Sequence, residues 1–184
     1  MLEDYIKKEF QKILEPMAIK LELIGFTPNR VTGLSILSAI IATFLFYKGL
    51  LIAGGVFVLL DYFFDGIDGM VARLTNNISN RGFILDHLSD YVIRRLWYFS
   101  LTLSGFLSYK LLSLTIFSLA ISVFLVNLAM IKKLKIPSWT TAWADWLIVP
   151  AVFSGEIVIF FQSMIFAHFI LFAVNFGFIM YKNK

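Results

Sequence analysis

The sequence predicts an all-α polytopic membrane protein, with six transmembrane helices over residues 30–181 preceded by an amphipathic interfacial helix over residues 1–25. Three observations carry this expectation. Of 184 residues, 59% are hydrophobic and only 15% charged, where an average soluble domain has about 45–50% and 25%; mean hydropathy is +0.83. The apolar residues gather into stretches long enough to cross a bilayer, which takes about 20 helical residues. The cations gather at the ends of those stretches. The chain contains no cysteine, which excludes a disulfide scaffold, a thiolate zinc site and a cysteine nucleophile. The length fits a single domain over residues 1–184.

In residues 1–25, Leu2, Tyr5, Ile6, Phe10, Ile13, Leu14, Met17 and Leu21 recur at three- and four-residue steps. Lys7, Lys8, Glu9, Lys12 and Glu15 lie between them. That pattern predicts a helix lying in the membrane interface, the alternative being one packed on other protein. Pro16 is a place for a kink. The segment lacks the unbroken apolar core and small-residue cleavage site of a signal peptide. Thr27-Pro28-Asn29 then punctuates the chain, with Thr27 placed to cap a new helix and Pro28 at its first position.

Six apolar stretches follow, at 30–48, 51–73, 82–106, 110–131, 140–155 and 157–181. The fifth is short and contains Pro150. With the N-terminus in the cytoplasm and six crossings, Lys7, Lys8, Lys12, Lys20, Arg30, Arg73, Arg81, Lys132, Lys133, Lys135, Lys182 and Lys184 fall on the cytoplasmic side. Lys48 and Lys110 fall outside, and Arg94 and Arg95 lie within a span. Twelve of sixteen cations on one side is a positive-inside pattern. It predicts a multi-pass protein of the cell membrane with both termini and the active site facing the cytoplasm. The net charge of +4 and pI of about 9.3 therefore encode orientation, and no nucleic acid partner is expected.

Asp61, Asp65, Asp68, Asp86 and Asp90 all fall inside predicted spans. An Asp at the centre of a spanning helix costs ~2.5–3.5 kcal/mol, so five uncompensated ones would cost roughly 12–18 kcal/mol. That exceeds or rivals the ~5–15 kcal/mol stability of a typical fold. Cations, water or shared protons must compensate them. Asp61, Asp65 and Asp68 stand at i, i+4 and i+7 on one helix face, and Asp86 and Asp90 at i and i+4 on another. The short loop 74–81 makes these helices antiparallel neighbours. At 1.5 Å per residue, Asp68 and Asp86 lie ~6–8 Å from the cytoplasmic edge and Asp65 and Asp90 ~12 Å. Four carboxylates converging at matched depth suit hard divalent cations such as Mg²⁺ or Mn²⁺. Gly66, Gly69 and Gly82 remove side chains beside the acids, leaving room for a neighbouring helix or for a ligand.

Read from Asp65, the pattern is Asp65-x2-Asp68-Gly69-x2-Ala72-Arg73-x8-Gly82-x3-Asp86-x3-Asp90. At all eight fixed positions it resembles the signature of the CDP-alcohol phosphotransferase family, as do the setting between the second and third of six spans and the Thr-Pro-Asn junction. The resemblance implies transfer of a phosphoryl-alcohol group from a CDP-linked alcohol, usually a lipid, to the hydroxyl of a second alcohol, with release of CMP. It implies two divalent cations, Mg²⁺ or Mn²⁺, held by Asp65, Asp68 and Asp86. Asp90 is then the general base, with a share in metal binding. Gly69, Ala72 and Gly82 make room for the nucleotide, and Arg73 contacts the diphosphate or braces the acids. Asn29 and Asp61 are weaker candidates for nucleotide contacts, set against simple capping for Asn29 and a buried structural hydrogen bond for Asp61. A homodimer among membrane lipids is also implied.

For a phosphate-bearing acceptor, the candidate cations are Arg94, Arg81, Lys132, Lys133 and Lys135, each of which has a plain reading in charge neutralisation or topology. Members that use inositol phosphate often carry arginines near the start of the fifth span. Residues 140–146 have none, and Asp145 is acidic, which speaks against that acceptor. His87, between Asp86 and Asp90, resembles the Asp-His pair of members that transfer to a diacylglycerol-like alcohol. His168 reads as a satisfied core residue. Trp139, Trp143 and Trp146 read as an interfacial belt. The alternative of a different class is a divalent-cation or proton-coupled transporter, because intramembrane acids also mark ion pathways. The bias of the acids to one leaflet favours a one-sided enzyme pocket.

Overall fold

The structure is a computed structural model that describes residues 2–75, 80–131 and 147–182, with the side chains of residues 2–11, 13, 80–91, 130, 178 and 182 outside the description. Among the described residues all regular structure is helical: α1 (Leu2–Leu23), α2 (Pro28–Tyr47), α3 (Leu51–Leu74), α4 (Asn80–Leu103), α5 (Tyr109–Ile131), α6 (Ile148–Ser154) and α7 (Ile157–Lys182). Three of them are long and apolar enough to cross a membrane, over Pro28–Tyr47, Tyr109–Ala129 and Ile157–Tyr181. At 24 residues each, α3 and α4 are as long, but acids and arginines interrupt their apolar character. α6 has only seven residues. The first part of the expected fifth stretch, 140–146, lies outside the described residues, as do Lys132, Lys133, Lys135 and Trp139.

The chain forms two compact units, Met1–Trp97 and Tyr98–Lys184. In the first, α2 packs along α3, and α1 packs against α3. The α2–α3 connection is tight because Gly49 adopts φ +77°. Its N–H donates to the Phe46 carbonyl at 3.0 Å, and the Leu50 N–H donates to the Leu45 carbonyl at 2.9 Å. These two bonds satisfy carbonyls that the end of α2 would otherwise leave open. Immediately beyond the turn, the missing side chain of Gly54 lets the Phe46 ring sit where a Cβ would be only 2.5 Å from two ring carbons.

The start of α2 follows the expected junction with one correction. Thr27 occupies the capping position and Pro28 the first turn, but the Thr27 side chain makes no capping hydrogen bond. Its backbone carbonyl instead accepts from Arg30 and Val31. Proline at the first position already removes one of the N–H groups a cap would serve. α1 runs through Pro16 as a single 22-residue helix. Its Leu14 and Ala18 are buried with Val31, Ile67, Met70 and Val71, flanked by Leu21, Phe26, Phe63 and Phe64. On the described part of α1, Leu14 and Ala18 are covered by α2 and α3, while Met17, Ile19 and Leu23 are exposed.

In the second unit α5 packs along α7, and α6 packs against α7. Leu125, Ala129 and Ile179 form a buried cluster with Leu128 and Phe172 at its margin. The Tyr98 ring meets Phe161 edge-on at 4.9 Å between centroids, a favoured aromatic geometry. His168 is 2% exposed. Its Nδ1 lies 3.2 Å from the Ser118 hydroxyl, and the Ser122 hydroxyl donates to its backbone carbonyl at 3.4 Å. It is a buried core residue, as the sequence suggested, held through its Nδ1 and its backbone carbonyl.

Candidate active site

The expected acids on α3 sit at the centre of the first unit. Asp61 and Asp68 are 4% and 8% exposed, and Asp65 between them is half-buried. Burial of carboxylates at this level requires donors. Two come from α2. The Thr32 hydroxyl donates to Asp68 Oδ2 at 2.6 Å, and the Ser35 hydroxyl donates to Asp61 Oδ1 at 2.6 Å. Both distances are short for O–H···O hydrogen bonds, and each leaves a buried acid with a donor. Thr32 Oγ1 also lies 3.1 Å from the Pro28 carbonyl. A hydroxyl has one proton to give, and the shorter contact to a carboxylate takes it.

Thr32 and Ser35 were not among the residues singled out by the sequence. They sit on the same buried face of α2 as Val31, Ser38, Ala39, Ala42 and Phe46. In a helix destined for the bilayer, hydroxyls on the face towards an acid-bearing neighbour are the signal that could have found them. For Asp61 the structure supplies the buried hydrogen bond that was its plain reading.

The C-terminal part of α4 reaches the same helices. The Trp97 indole N–H donates to the Ala39 carbonyl at 3.0 Å. The Tyr62 ring meets Trp97 at 6.1 Å, edge-on, and the Arg94 guanidinium lies 5.1 Å above the Tyr62 ring. Arg94 is therefore buried on α3 one turn from the acids, a cation–π contact that gains from desolvation. Asp86, Asp90, Arg81, Gly82 and His87 belong to α4 by position, and their side chains lie outside the described ones. Among the described residues no three His, Asp or Glu side chains converge on a metal-sized site; Asp61, Asp65 and Asp68 all come from one helix.

Arg73 lies exposed in the last turn of α3. Among the described residues, a Cβ on Gly69 would meet the Arg73 Nη1 at 3.7 Å. Arg73 also lines a cavity of about 250 Å³ with Glu15, Met70 and Leu74, between α1 and α3. Ala72 is half-buried on the adjoining turn, and Asn29 is exposed in the first turn of α2.

The profile of the CDP-alcohol phosphatidyltransferase family matches residues 26–182. The chain belongs to the CDP-alcohol phosphatidyltransferase family. An archaetidylinositol phosphate synthase of Pyrococcus horikoshii is 29% identical over 111 residues, 60% of this chain and 59% of that protein. A phosphatidylinositol phosphate synthase of Mycobacteroides abscessus is 37% identical over 87 residues, 47% of this chain and 40% of that one. The chain thus spans about half the length of the curated relatives it matches. In fold it is similar to the crystal structure of apo phosphatidylinositol phosphate synthase from Mycobacterium tuberculosis, with a TM-score of 0.65 and 19% identity over 88% of this chain and 93% of that one.

Proposed function

We propose that this family member transfers the phosphoryl-alcohol group of a CDP-linked lipid alcohol, such as CDP-diacylglycerol or an ether-lipid equivalent, to the hydroxyl of a phosphorylated polyol of the inositol phosphate type. The bond between the two phosphates breaks, the acceptor oxygen bonds to the released phosphorus, and CMP leaves. The observation that carries this reading is the family match over residues 26–182, which takes in every candidate residue from Asn29 to Lys135. The inositol phosphate acceptor rests on the names of the two relatives, against the lack of arginines in residues 140–146. The same match favours an enzyme over a transporter.

In this reading the protein crosses the membrane six times with the site on the cytoplasmic side. Asp65, Asp68, Asp86 and Asp90 hold two divalent cations. The donor set fits Mg²⁺ or Mn²⁺, since it offers hard anionic oxygens and Asp68 is held in one orientation by Thr32. When bound, such cations neutralise charge on the diphosphate and on the leaving oxygen. Asp90 takes the proton from the acceptor hydroxyl. Gly69, Ala72 and Gly82 leave room for the nucleotide, and Arg73 reaches the diphosphate from beside Gly69. Arg81 and the lysines at 132, 133 and 135 serve the acceptor phosphate. Arg94, buried against Tyr62 one turn from the acids, remains a candidate for the same phosphate and also braces α4 on α3. The Tyr62 contacts with Arg94 and Trp97 lie within about one turn of the register that would set Asp65 level with Asp90 and Asp68 level with Asp86, which supports convergence of the four acids.

The test is CMP release from CDP-diacylglycerol and from its ether-lipid equivalent by the purified chain with Mg²⁺ or Mn²⁺. Inositol phosphate, glycerol phosphate, inositol and serine are supplied in turn. The expected outcome is release with inositol phosphate, abolished by EDTA and by Asp90→Asn. Release with another acceptor alone would replace the acceptor, and none with any acceptor would contradict the reaction.

A further inference from the structure

We infer that Thr32 is a positioning residue for the divalent cations: by donating to Asp68 Oδ2 it fixes the orientation in which that carboxylate meets a cation. The inference rests on the proposed role of Asp68 as a cation ligand and adds a residue outside the acid motif. Its basis is geometric. Thr32 and Ser35 lie one turn apart on the buried face of α2, and each donates at 2.6 Å to a different acid of α3. The two bonds are alike in length, burial and chemistry, yet only one ends on an acid of the metal-binding pattern. Asp61, held by Ser35, stands two turns further along α3. The pair therefore contains its own control.

A carboxylate has two oxygens and about four lone-pair sites, so a hydroxyl on one of them fixes the plane of the group without exhausting its capacity to ligate. Groups that orient a ligand from behind typically change metal affinity 10–100-fold when removed. Thr32 is suited to that task because α2 is itself anchored along its length. Pro28 starts it, the Ala39 carbonyl accepts from Trp97, and the Gly49 turn ties its end to α3. The hydroxyl is presented from a rigid element, as orientation of a ligand requires.

The test measures Mn²⁺ affinity of the purified chain in detergent by the electron paramagnetic resonance signal of free Mn²⁺, with no substrate present. Thr32→Val, which keeps the shape and removes the donor, should weaken binding roughly 10–100-fold. Thr32→Ser, which restores the donor, should bind within about threefold of the parent chain, and so should Ser35→Ala. Thr32→Ala makes the same comparison if Thr32→Val is not recovered folded. Mn²⁺ affinity unchanged in Thr32→Val or Thr32→Ala, while Asp68→Asn loses binding, would overturn the inference and leave the metal site standing. Equal weakening by Ser35→Ala would also overturn it, because general loosening of α2 against α3 would then be the cause. Asp68→Asn binding as tightly as the parent would overturn both the inference and the metal-site reading.

Discussion

The two units of the chain bury polar groups in different ways. In the first, hydroxyls reach across from α2 to carboxylates on α3, at 2.6 Å for both Thr32–Asp68 and Ser35–Asp61. Other hydroxyls turn back on their own helix in both units: Ser38 donates to the Leu34 carbonyl and Thr43 to the Ala39 carbonyl in the first, and Thr115 to the Leu111 carbonyl and Ser118 to the Thr115 carbonyl in the second. The described cross-helix polar contacts there centre on His168. A hydroxyl bonded to its own helix satisfies itself and commits nothing to its neighbour. A hydroxyl bonded to a buried acid fixes the geometry between two helices and holds charge in an apolar setting. The first unit is built to keep anionic oxygens in place, and the second to pack apolar surface.

This contrast can be broken by mutation. The largest effect is expected at the acids, where Asp65→Asn should lower CMP release by about 10³-fold or more, corresponding to roughly 4 kcal/mol in the barrier, as measured at saturating Mg²⁺. Next in size is Gly54→Ala, which drives a methyl against the buried Phe46 ring. It should destabilise the α2–α3 pair by about 1–3 kcal/mol despite the better helix propensity of Ala, seen as a lowered thermal midpoint. In the second unit, His168→Leu should cost about 1–2 kcal/mol of stability by removing a buried hydrogen-bonding ring and should leave CMP release close to that of the parent. Of similar size is Trp97→Phe, which loses the indole bond to the Ala39 carbonyl, about 1 kcal/mol, and leaves a void at a 1% exposed site that adds to it, measured by the same melt. A large loss of CMP release in His168→Leu would dissolve the distinction between the units.

Much of this division was legible in the sequence. Long uncharged runs gave α2, α5 and α7, because hydropathy over about 20 residues needs no knowledge of neighbours. The face shared by Asp61, Asp65 and Asp68 followed from helical periodicity alone. What covers a face did not follow. The apolar stripe of α1 reads first as a membrane-facing surface, and the structure adds that its Leu14, with the neighbouring Ala18, is buried against Val31, Ile67, Met70 and Val71. Thr32 and Ser35 escaped notice for the same reason. The cost of buried acids demands partners, and the acid spacing alone points to cations, water and protons, not to two neutral hydroxyls on a neighbouring helix. Thr27 erred the other way, since its type suits a cap but the cap is made by its backbone. Whether Gly69 makes room for a helix or a ligand depends on what stands opposite it, which helical periodicity does not give.

The central claim is that the α3 acids act by holding divalent cations for CMP-releasing transfer. Its most direct test is a Mg²⁺ titration of CMP release, comparing the parent chain with Asp68→Asn. The account predicts saturable activation of the parent and at least about 10³-fold less release from the variant, a loss of roughly 4 kcal/mol, at every Mg²⁺ concentration. Saturation of Asp68→Asn at the parent's Mg²⁺ concentration and to the parent's rate would contradict it.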